Sequence, residues 1–106
     1  MPASAPSLAV VIPTHNRRAI LERTLEALAD QSQRDFRIVV VDDGSTDGTF
    51  EWLENRARTA RQPQLAIVRQ VNRGQGQARN LGVQQVAEDL VFFLGDDVIP
   101  GRDCVA

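Results

Sequence analysis

The sequence predicts an α/β fold, a parallel sheet with flanking helices. Four short apolar runs alternate with three longer stretches of helical periodicity, and this alternation is typical of parallel strands joined by right-handed crossovers. The apolar runs are rich in β-branched and aromatic residues and are bounded by Gly, Pro, Asp or Ser, as buried parallel strands are. With 106 residues, the chain is long enough for one domain with its own core. We therefore expect a single domain over residues 1–106.

The first predicted strand covers residues 8–13 (LAVVIP) and ends at Pro13. Apolar side chains then recur at helical spacing over residues 17–31, which predicts the first helix. Asn16 stands immediately before that helix and is its expected N-cap. The second predicted strand covers residues 36–41 (FRIVVV) and leads directly into a pair of aspartates.

The second predicted helix begins at an N-cap formed by Ser45 or Thr46, with Asp47 in its first turn, where the helix dipole favours an acid. It ends before Pro63. The remaining predicted elements are a strand, a helix and a last strand, over residues 65–68, 74–87 and 90–94. From Val98 onward no partner element is visible, so we expect the chain to end within a larger fold.

Two aspartate pairs each follow a predicted strand. Asp42-Asp43 ends the run IVVV, and Asp96-Asp97 follows the run LVFFL after a glycine. The carboxyl ends of parallel strands share one edge of the sheet, where open α/β proteins bind their ligands. Neighbouring carboxylates repel each other, by about 1 kcal/mol at 4 Å in water and about 4 kcal/mol at an effective dielectric of 20. A divalent metal together with a nucleotide would offset that repulsion, so the pairs indicate such a site.

Charge and composition exclude several classes of function. The formal net charge of −2 gives no sign of a surface for nucleic acid or anionic membrane. All 12 basic residues are Arg, which excludes P-loops, receiver domains and Schiff-base chemistry, since these need a lysine. Cys104 is the only cysteine, so neither an internal disulfide nor a cysteine metal site can form. Residues 1–7 lack the features of a signal peptide, and no stretch reaches the ~20 apolar residues of a membrane span. We expect a cytoplasmic protein.

A dinucleotide-binding domain is excluded by the first loop. That domain needs the pattern G-x-G-x-x-G directly after its first strand. Here the first strand leads into Pro-Thr-His-Asn, and the glycines Gly74 and Gly76 follow the third strand instead. Arg79 occupies the third glycine position, so the phosphate-binding loop of that fold is absent.

Four segments of the sequence resemble, in this order, the family 2 glycosyltransferases: residues 11–17 (VIPTHNR), 40–47 (VVDDGSTD), 72–82 (NRGQGQARNLG) and 93–97 (FLGDD). The resemblance runs from about residue 8 to about residue 100. It implies the GT-A (Rossmann-like) parallel sheet with strand order 3-2-1-4, truncated after the metal motif and without the acceptor-binding half. With strands about 4.8 Å apart, that order separates the two aspartate pairs by roughly 10 Å, about the reach from a nucleobase to its diphosphate.

The resemblance also implies the ligand, a nucleoside-diphosphate sugar and preferably a UDP-sugar. Asp43 is the candidate for the base, because a carboxylate accepts strongly from an imide N–H such as that of uracil N3. Asp42 either helps to bind the base or holds the turn. The other nucleotide-binding candidates are Pro13, Thr14, Arg79 and Asp96, with Asp96 facing the ribose. By the same family pattern Asp97 is the metal ligand, together with Asp96, for Mg²⁺ or Mn²⁺.

The implied activity is metal-assisted transfer of the sugar to an unknown acceptor, with inversion at the anomeric carbon. No residue of the sequence is identified as the general base that this reaction needs. The alternative is a catalytically incomplete fragment or module that binds the nucleotide without turnover. Homo-oligomerisation stays open, because an exposed edge strand often pairs with another chain.

Overall fold

The computed structural model describes residues 8–31, 36–59, 64–71, 74–86, 88 and 90–96. Its elements follow in the order β1 (Leu8–Thr14), α1 (Arg18–Ala29), β2 (Arg37–Asp43), α2 (Thr49–Thr59), β3 (Gln64–Gln70), α3 (Gln75–Gln84) and β4 (Leu90–Phe93). The predicted alternation of strands and helices is confirmed. The second strand is longer than predicted, since it includes both Asp42 and Asp43.

The four strands form one sheet in the order β3-β2-β1-β4. Each neighbouring pair is parallel, so the predicted fold class and strand order are both confirmed. All four strands therefore end at the same side of the sheet, which we call the carboxyl edge. It is formed by the last residues of the strands, Thr14, Asp43, Gln70 and Phe93.

Each face of the sheet buries its own apolar cluster, because consecutive strand residues point to opposite faces. The first cluster joins strand residues to the leucines of α1 and α2: Val10, Ile12, Ile38, Val40, Leu21, Leu25, Leu28 and Leu53. The second cluster places Ala78 of α3 against Val11, Val39 and Val41. Helices α1 and α2 therefore cover one face of the sheet, and α3 covers the other.

Helix α3 lies close to the sheet at Gly82. A Cβ atom at this position would lie 2.5 Å from Cγ1 of Val11 and 3.2 Å from Cγ2 of Val41. Both valines are β-branched and have little rotamer freedom to move aside. The missing side chain of Gly82 thus allows α3 to pack directly on β1 and β2, with its first residue near the carboxyl edge.

The predicted N-cap of α1 is wrong. The helix begins at Arg18, and the residue in the cap position is Arg17, whose side chain makes no capping hydrogen bond. Asn16 instead has a φ of 51°, and its Oδ1 accepts a hydrogen bond of 2.7 Å from the backbone N–H of Thr46. A side chain suited to capping its own helix here bonds a neighbouring loop.

The predicted start of α2 is also wrong. The helix begins at Thr49, so Ser45 and Thr46 lie in the preceding loop, and Asp47 precedes the first turn instead of lying in it. The carboxylate of Asp47 still supports the helix, because its Oδ1 accepts from the backbone N–H of Thr49 at 3.1 Å and from the Thr49 hydroxyl. Gly48 supplies the first helical carbonyl, which accepts from the N–H of Trp52.

The surface of the sheet is least covered at β4, an edge strand. Val91, Phe92 and Phe93 are all exposed there, at 36%, 37% and 45% of their surface.

Among the helices that the structure describes, none combines the length and the apolar character that a membrane crossing requires.

Candidate functional site

Asp42 and Asp43 are the last two residues of β2, and the alternation of the strand sends their side chains to opposite faces of the sheet. Asp42 points to the face covered by α1 and α2 and is completely buried. Its Oδ1 accepts a 3.1 Å hydrogen bond from the backbone N–H of Ser45, which holds the turn after the strand. Its Oδ2 is buried and has no hydrogen-bond partner among the described residues.

Asp43 lies on the other face, beside the start of α3. Its Oδ1 accepts from Nε2 of Gln70 at 2.7 Å, and its Oδ2 accepts from the backbone N–H of Gly74 at 2.9 Å. The carboxylate therefore joins the ends of β2 and β3 to the first residue before α3. Asp43 is 5% exposed, so its carboxylate is nearly covered by these neighbours.

Asp96 is held by β1 and α1 through both its side chain and its backbone. Its Oδ2 accepts from the hydroxyl of Thr14 at 2.9 Å. Its Oδ1 forms an ion pair of 3.3 Å with Nη1 of Arg17, and its carbonyl accepts from the hydroxyl of Thr24 at 2.8 Å. The carboxylate is 5% exposed, whereas the Arg17 side chain is 48% exposed, so the guanidinium covers Asp96 from the solvent side.

Sequence reasoning missed Arg17 and Thr24 as partners of Asp96. The available signal for Thr24 was a hydroxyl within the apolar stripe of α1, where a buried polar group needs a partner. Arg17 carried no such signal, because exposed arginines are mostly solvated. Both contacts span more than seventy residues of the chain, which no local pattern reveals.

The loops after β1 and β2 are bonded directly to each other. The backbone N–H of Asn16 donates to Oγ of Ser45 at 2.9 Å, and Asn16 Oδ1 accepts from the N–H of Thr46 at 2.7 Å. The Nδ1–H of His15 donates to the backbone carbonyl of Asp43 at 2.7 Å. These three hydrogen bonds fix the two loops in one arrangement at the carboxyl edge.

An open cavity of about 530 Å³ lies beside Asp43 and is lined by Gly44, Arg69, Gln70 and Val71. Arg69 lies over the ring of Phe50 at 4.7 Å from its centroid. Its Nη2 donates to the backbone carbonyl of Ser45 at 3.4 Å, so the guanidinium is fixed as part of the wall. Sequence reasoning did not identify Arg69 or Gln70, since the predicted third strand ends at residue 68.

The predicted site residues are thus only partly brought together. Thr14 and Asp96 are in direct contact, Asp42 is the register partner of Thr14 on β2, and Pro13 is buried in β1. Asp97 and the side chain of Arg79 lie outside the described residues. Within the residues that the structure describes, no group of three or more His, Cys, Asp or Glu side chains is placed to hold a metal ion.

The sequence also matches a family of known proteins. Residues 9–106 match the profile of Glycosyl transferase family 2. The validoxylamine A glucosyltransferase of Streptomyces hygroscopicus subsp. jinggangensis is 41% identical over 104 residues, which cover 94% of this chain and 24% of that protein.

Two solved structures are similar to the chain. The mannosyltransferase PcManGT from Pyrobaculum calidifontis, in complex with GDP-Man and Mn²⁺, has a TM-score of 0.85 and 30% identity, covering 95% of this chain and 30% of its own. TarS 1–349 from S. aureus, in complex with UDP, has a TM-score of 0.82 and 27% identity, covering 93% and 30%. The chain thus spans less than a third of each of these proteins.

Proposed function

Because the chain belongs to glycosyl transferase family 2, we propose that its carboxyl edge binds the nucleoside diphosphate of a sugar donor, and that the whole protein transfers the sugar to an acceptor. The observation that carries this proposal is the position of Asp43 and Asp96 at one edge, with Thr14 between them in the strand order. Carboxylates at that edge can accept hydrogen bonds from the N–H and O–H groups of a nucleoside. They can also bind the divalent cation that accompanies the phosphates.

In this proposal Asp43 recognises the nucleobase. Its oxygens are fixed by Gln70 and Gly74, and Gln70 also lines the cavity of about 530 Å³. The N3–H of uracil is the donor that we assign to it. This assignment is supported by the similarity to TarS, whose structure contains UDP. Guanine also offers an N–H donor, and PcManGT was solved with GDP-Man, so GDP is the competing nucleotide.

Asp42 and Asp96 have different proposed roles. Asp42 is completely buried and holds the turn through Ser45, so we assign it the support of the base site, not a direct contact. Asp96 faces the ribose, with Thr14 and Arg17 holding its carboxylate. Pro13 and Arg79 stay candidates for the wall of the nucleotide site.

The metal of the proposal is Mg²⁺ or Mn²⁺, with Asp97 as ligand and Asp96 beside it. Such ions need only one or two carboxylates when substrate phosphates and water complete the shell, and the carboxyl groups of Asp96 and Asp97 are donors of that kind. The bound ion would neutralise negative charge on the departing nucleoside diphosphate. The protein groups described above bind and orient the nucleotide, and the Mn²⁺ complex of PcManGT supports this choice of ion.

The proposed reaction is a direct displacement that inverts the anomeric carbon. It needs a general base to deprotonate the acceptor hydroxyl, and we assign no residue of this chain to that role. An assay of UDP-sugar hydrolysis separates the two functions that the sequence leaves open. Donor binding with release of sugar supports an enzyme, whereas binding without release supports a module that only holds the nucleotide.

Calorimetric titration of the chain with UDP and with GDP, each with and without Mn²⁺, tests the proposal. We expect UDP to bind, more tightly with Mn²⁺, and Asp97→Ala to abolish the dependence on the metal. Asp30→Asn is the matched control, because Asp30 is an exposed acid at the far end of α1. Absence of nucleotide binding under all conditions would overturn the proposed function, and metal dependence that survives in Asp97→Ala would remove the ligand role of Asp97.

A further inference from the structure

The two hydrogen bonds between Asn16 and the loop after β2 are reciprocal. Asn16 gives its backbone N–H to the hydroxyl of Ser45 at 2.9 Å and receives the backbone N–H of Thr46 at its own Oδ1 at 2.7 Å. One residue thus bonds two successive residues of the facing loop. We call this arrangement the loop bridge, formed by Asn16, Ser45 and Thr46.

The backbone of Asn16 is adapted to this contact. Its φ of 51° is the only positive φ of a non-glycine residue among those that the structure describes. Asn tolerates this left-handed conformation better than most residues, because its short side chain can bond to nearby backbone groups. Its side chain bonds the facing loop, while the cap position of α1 is taken by Arg17, which makes no side-chain capping bond. A left-handed backbone at the residue that joins two loops indicates that the spacing of the loops matters.

The loop bridge lies between the two halves of the proposed nucleotide site. On one side, Thr14 ends β1 and bonds Asp96 at 2.9 Å. On the other, Asp43 ends β2, and its backbone carbonyl is held by His15 at 2.7 Å. The distance between the base site at Asp43 and the ribose and diphosphate site at Asp96 therefore depends on the separation of these two loops.

We propose that Asn16 is a positioning residue, which sets the spacing between the nucleobase site and the ribose–diphosphate site through the loop bridge. The proposal rests on the proposed function and adds to it the residue that couples the two half-sites. Asn16 does not touch the nucleotide in this account. It acts by keeping Asp43 and Asp96 at the separation that one UDP molecule spans.

The proposal has a specific energetic consequence. A ligand that joins two groups binds more tightly than either group alone only when the protein holds both half-sites at the matching distance. If the spacing is loosened, the gain from joining is lost, whereas each half-site still binds its own group. Loss of the loop bridge should therefore weaken UDP while leaving uridine and inorganic diphosphate nearly unchanged.

NMR titration of the chain with UDP, uridine and inorganic diphosphate, all with Mg²⁺, measures this directly. Asn16→Gly removes the side-chain bond and keeps the backbone conformation without strain, and Ser45→Ala removes the other bond. We expect either variant to weaken UDP by about tenfold, with changes below about twofold for the two separate groups. Asn16→Asp keeps the acceptor oxygen and should restore most of the affinity, and Asn55→Ala, an exposed change on α2, is the control.

Two results of the titration would overturn the proposal. One is an equal loss of affinity for UDP, uridine and diphosphate in Asn16→Gly and Ser45→Ala, which would mean a general structural defect. The other is UDP affinity that stays at the wild-type value in both variants. Hydrogen exchange of the Thr46 N–H gives a readout without ligand, since it must accelerate in Asn16→Gly if the bond exists in solution, and an unchanged rate would also overturn the proposal. A wild-type chain that binds none of the three ligands would instead overturn the proposed function.

Discussion

Thr14 and Asp96 lie 82 positions apart in the sequence and are joined by a hydrogen bond of 2.9 Å between hydroxyl and carboxylate. The bond crosses from the end of β1 to the loop after β4, its neighbour in the sheet. It sets the acid of the last motif against the residue that ends the first strand. The spatial arrangement of the site thus follows from strand order and not from distance along the chain.

Removing the Thr14 hydroxyl tests the strength of this link. Thr14→Val keeps the shape of the side chain but leaves a buried oxygen of Asp96 with one partner fewer. We expect the free energy of unfolding to fall by about 1–3 kcal/mol, as when a buried acceptor loses its donor. Urea denaturation measures the change. Thr59→Val is the control, since the Thr59 hydroxyl is exposed on α2, and an equal loss in both variants would contradict the account.

Asp43 should contribute to the binding of the nucleobase and not to the binding of the diphosphate. Asp43→Ala removes the proposed acceptor of the base N–H, so we expect UDP affinity to fall about tenfold or more, the equivalent of a hydrogen bond to a charged group. Affinity for inorganic diphosphate should change much less. Calorimetry on both ligands checks this, with Glu54→Ala, an exposed acid on α2, as control. Equal losses for UDP and diphosphate would remove the base-recognition role of Asp43.

Gly82 should not tolerate a side chain. In Gly82→Ala the new Cβ would lie 2.5 Å from Cγ1 of Val11, so α3 or β1 must shift. We expect a loss of about 1–3 kcal/mol in the free energy of unfolding, typical of an overpacked core. Gln84→Ala, an exposed change on the same helix, should stay within about 0.5 kcal/mol. Chemical denaturation measures the free energy of unfolding of both variants. A Gly82→Ala variant as stable as the wild type would mean that α3 packs less closely on the sheet than the structure shows.

The free energy of unfolding at acidic pH should depend on Asp47. The side-chain hydrogen bond from Thr49 holds the pKa of Asp47 below its ordinary value. A lowered pKa in the folded state means that the stabilising contribution is present above the pKa of the unfolded chain and is lost as the pH falls through the lowered value. We expect Thr49→Val to raise the pKa of Asp47 toward its ordinary range in an NMR titration of the carboxyl carbon. Thr59→Val should leave that pKa in place, and an unchanged pKa in Thr49→Val would exclude Thr49 as the cause.

The sheet was predictable because β-branched runs and their order carry most of the information about a parallel fold. The strand order 3-2-1-4 and the position of Asp42 and Asp43 at the carboxyl edge both followed from the sequence and its family resemblance. The predicted strand ended at Val41, however, because aspartate is uncommon within strands. Only the extension of β2 through Asp43 reveals that the two aspartates face opposite sides of the sheet.

The loops were predicted less well, for a physical reason. Asn16 has the chemistry of an N-cap, and so do Ser45 and Thr46. The same donors and acceptors can serve a neighbouring loop, and tertiary contacts decide between these uses. In the structure Asn16 bonds the facing loop. These residues lie about thirty positions apart in the sequence. Local sequence patterns therefore do not reveal which of these hydrogen bonds forms.

The most direct test of the account is a map of UDP binding on the chain by backbone amide NMR in the presence of Mg²⁺. We predict that the amide signals shifted by UDP cluster at the carboxyl edge, around Thr14, Asp43, Gly44 and Asp96. Amides at the opposite edge, around Leu8, Arg37 and Gln64, should stay in place. Shifts centred on the opposite edge, or no shifts at saturating UDP, would contradict the claim that these strand-end carboxylates form the donor site.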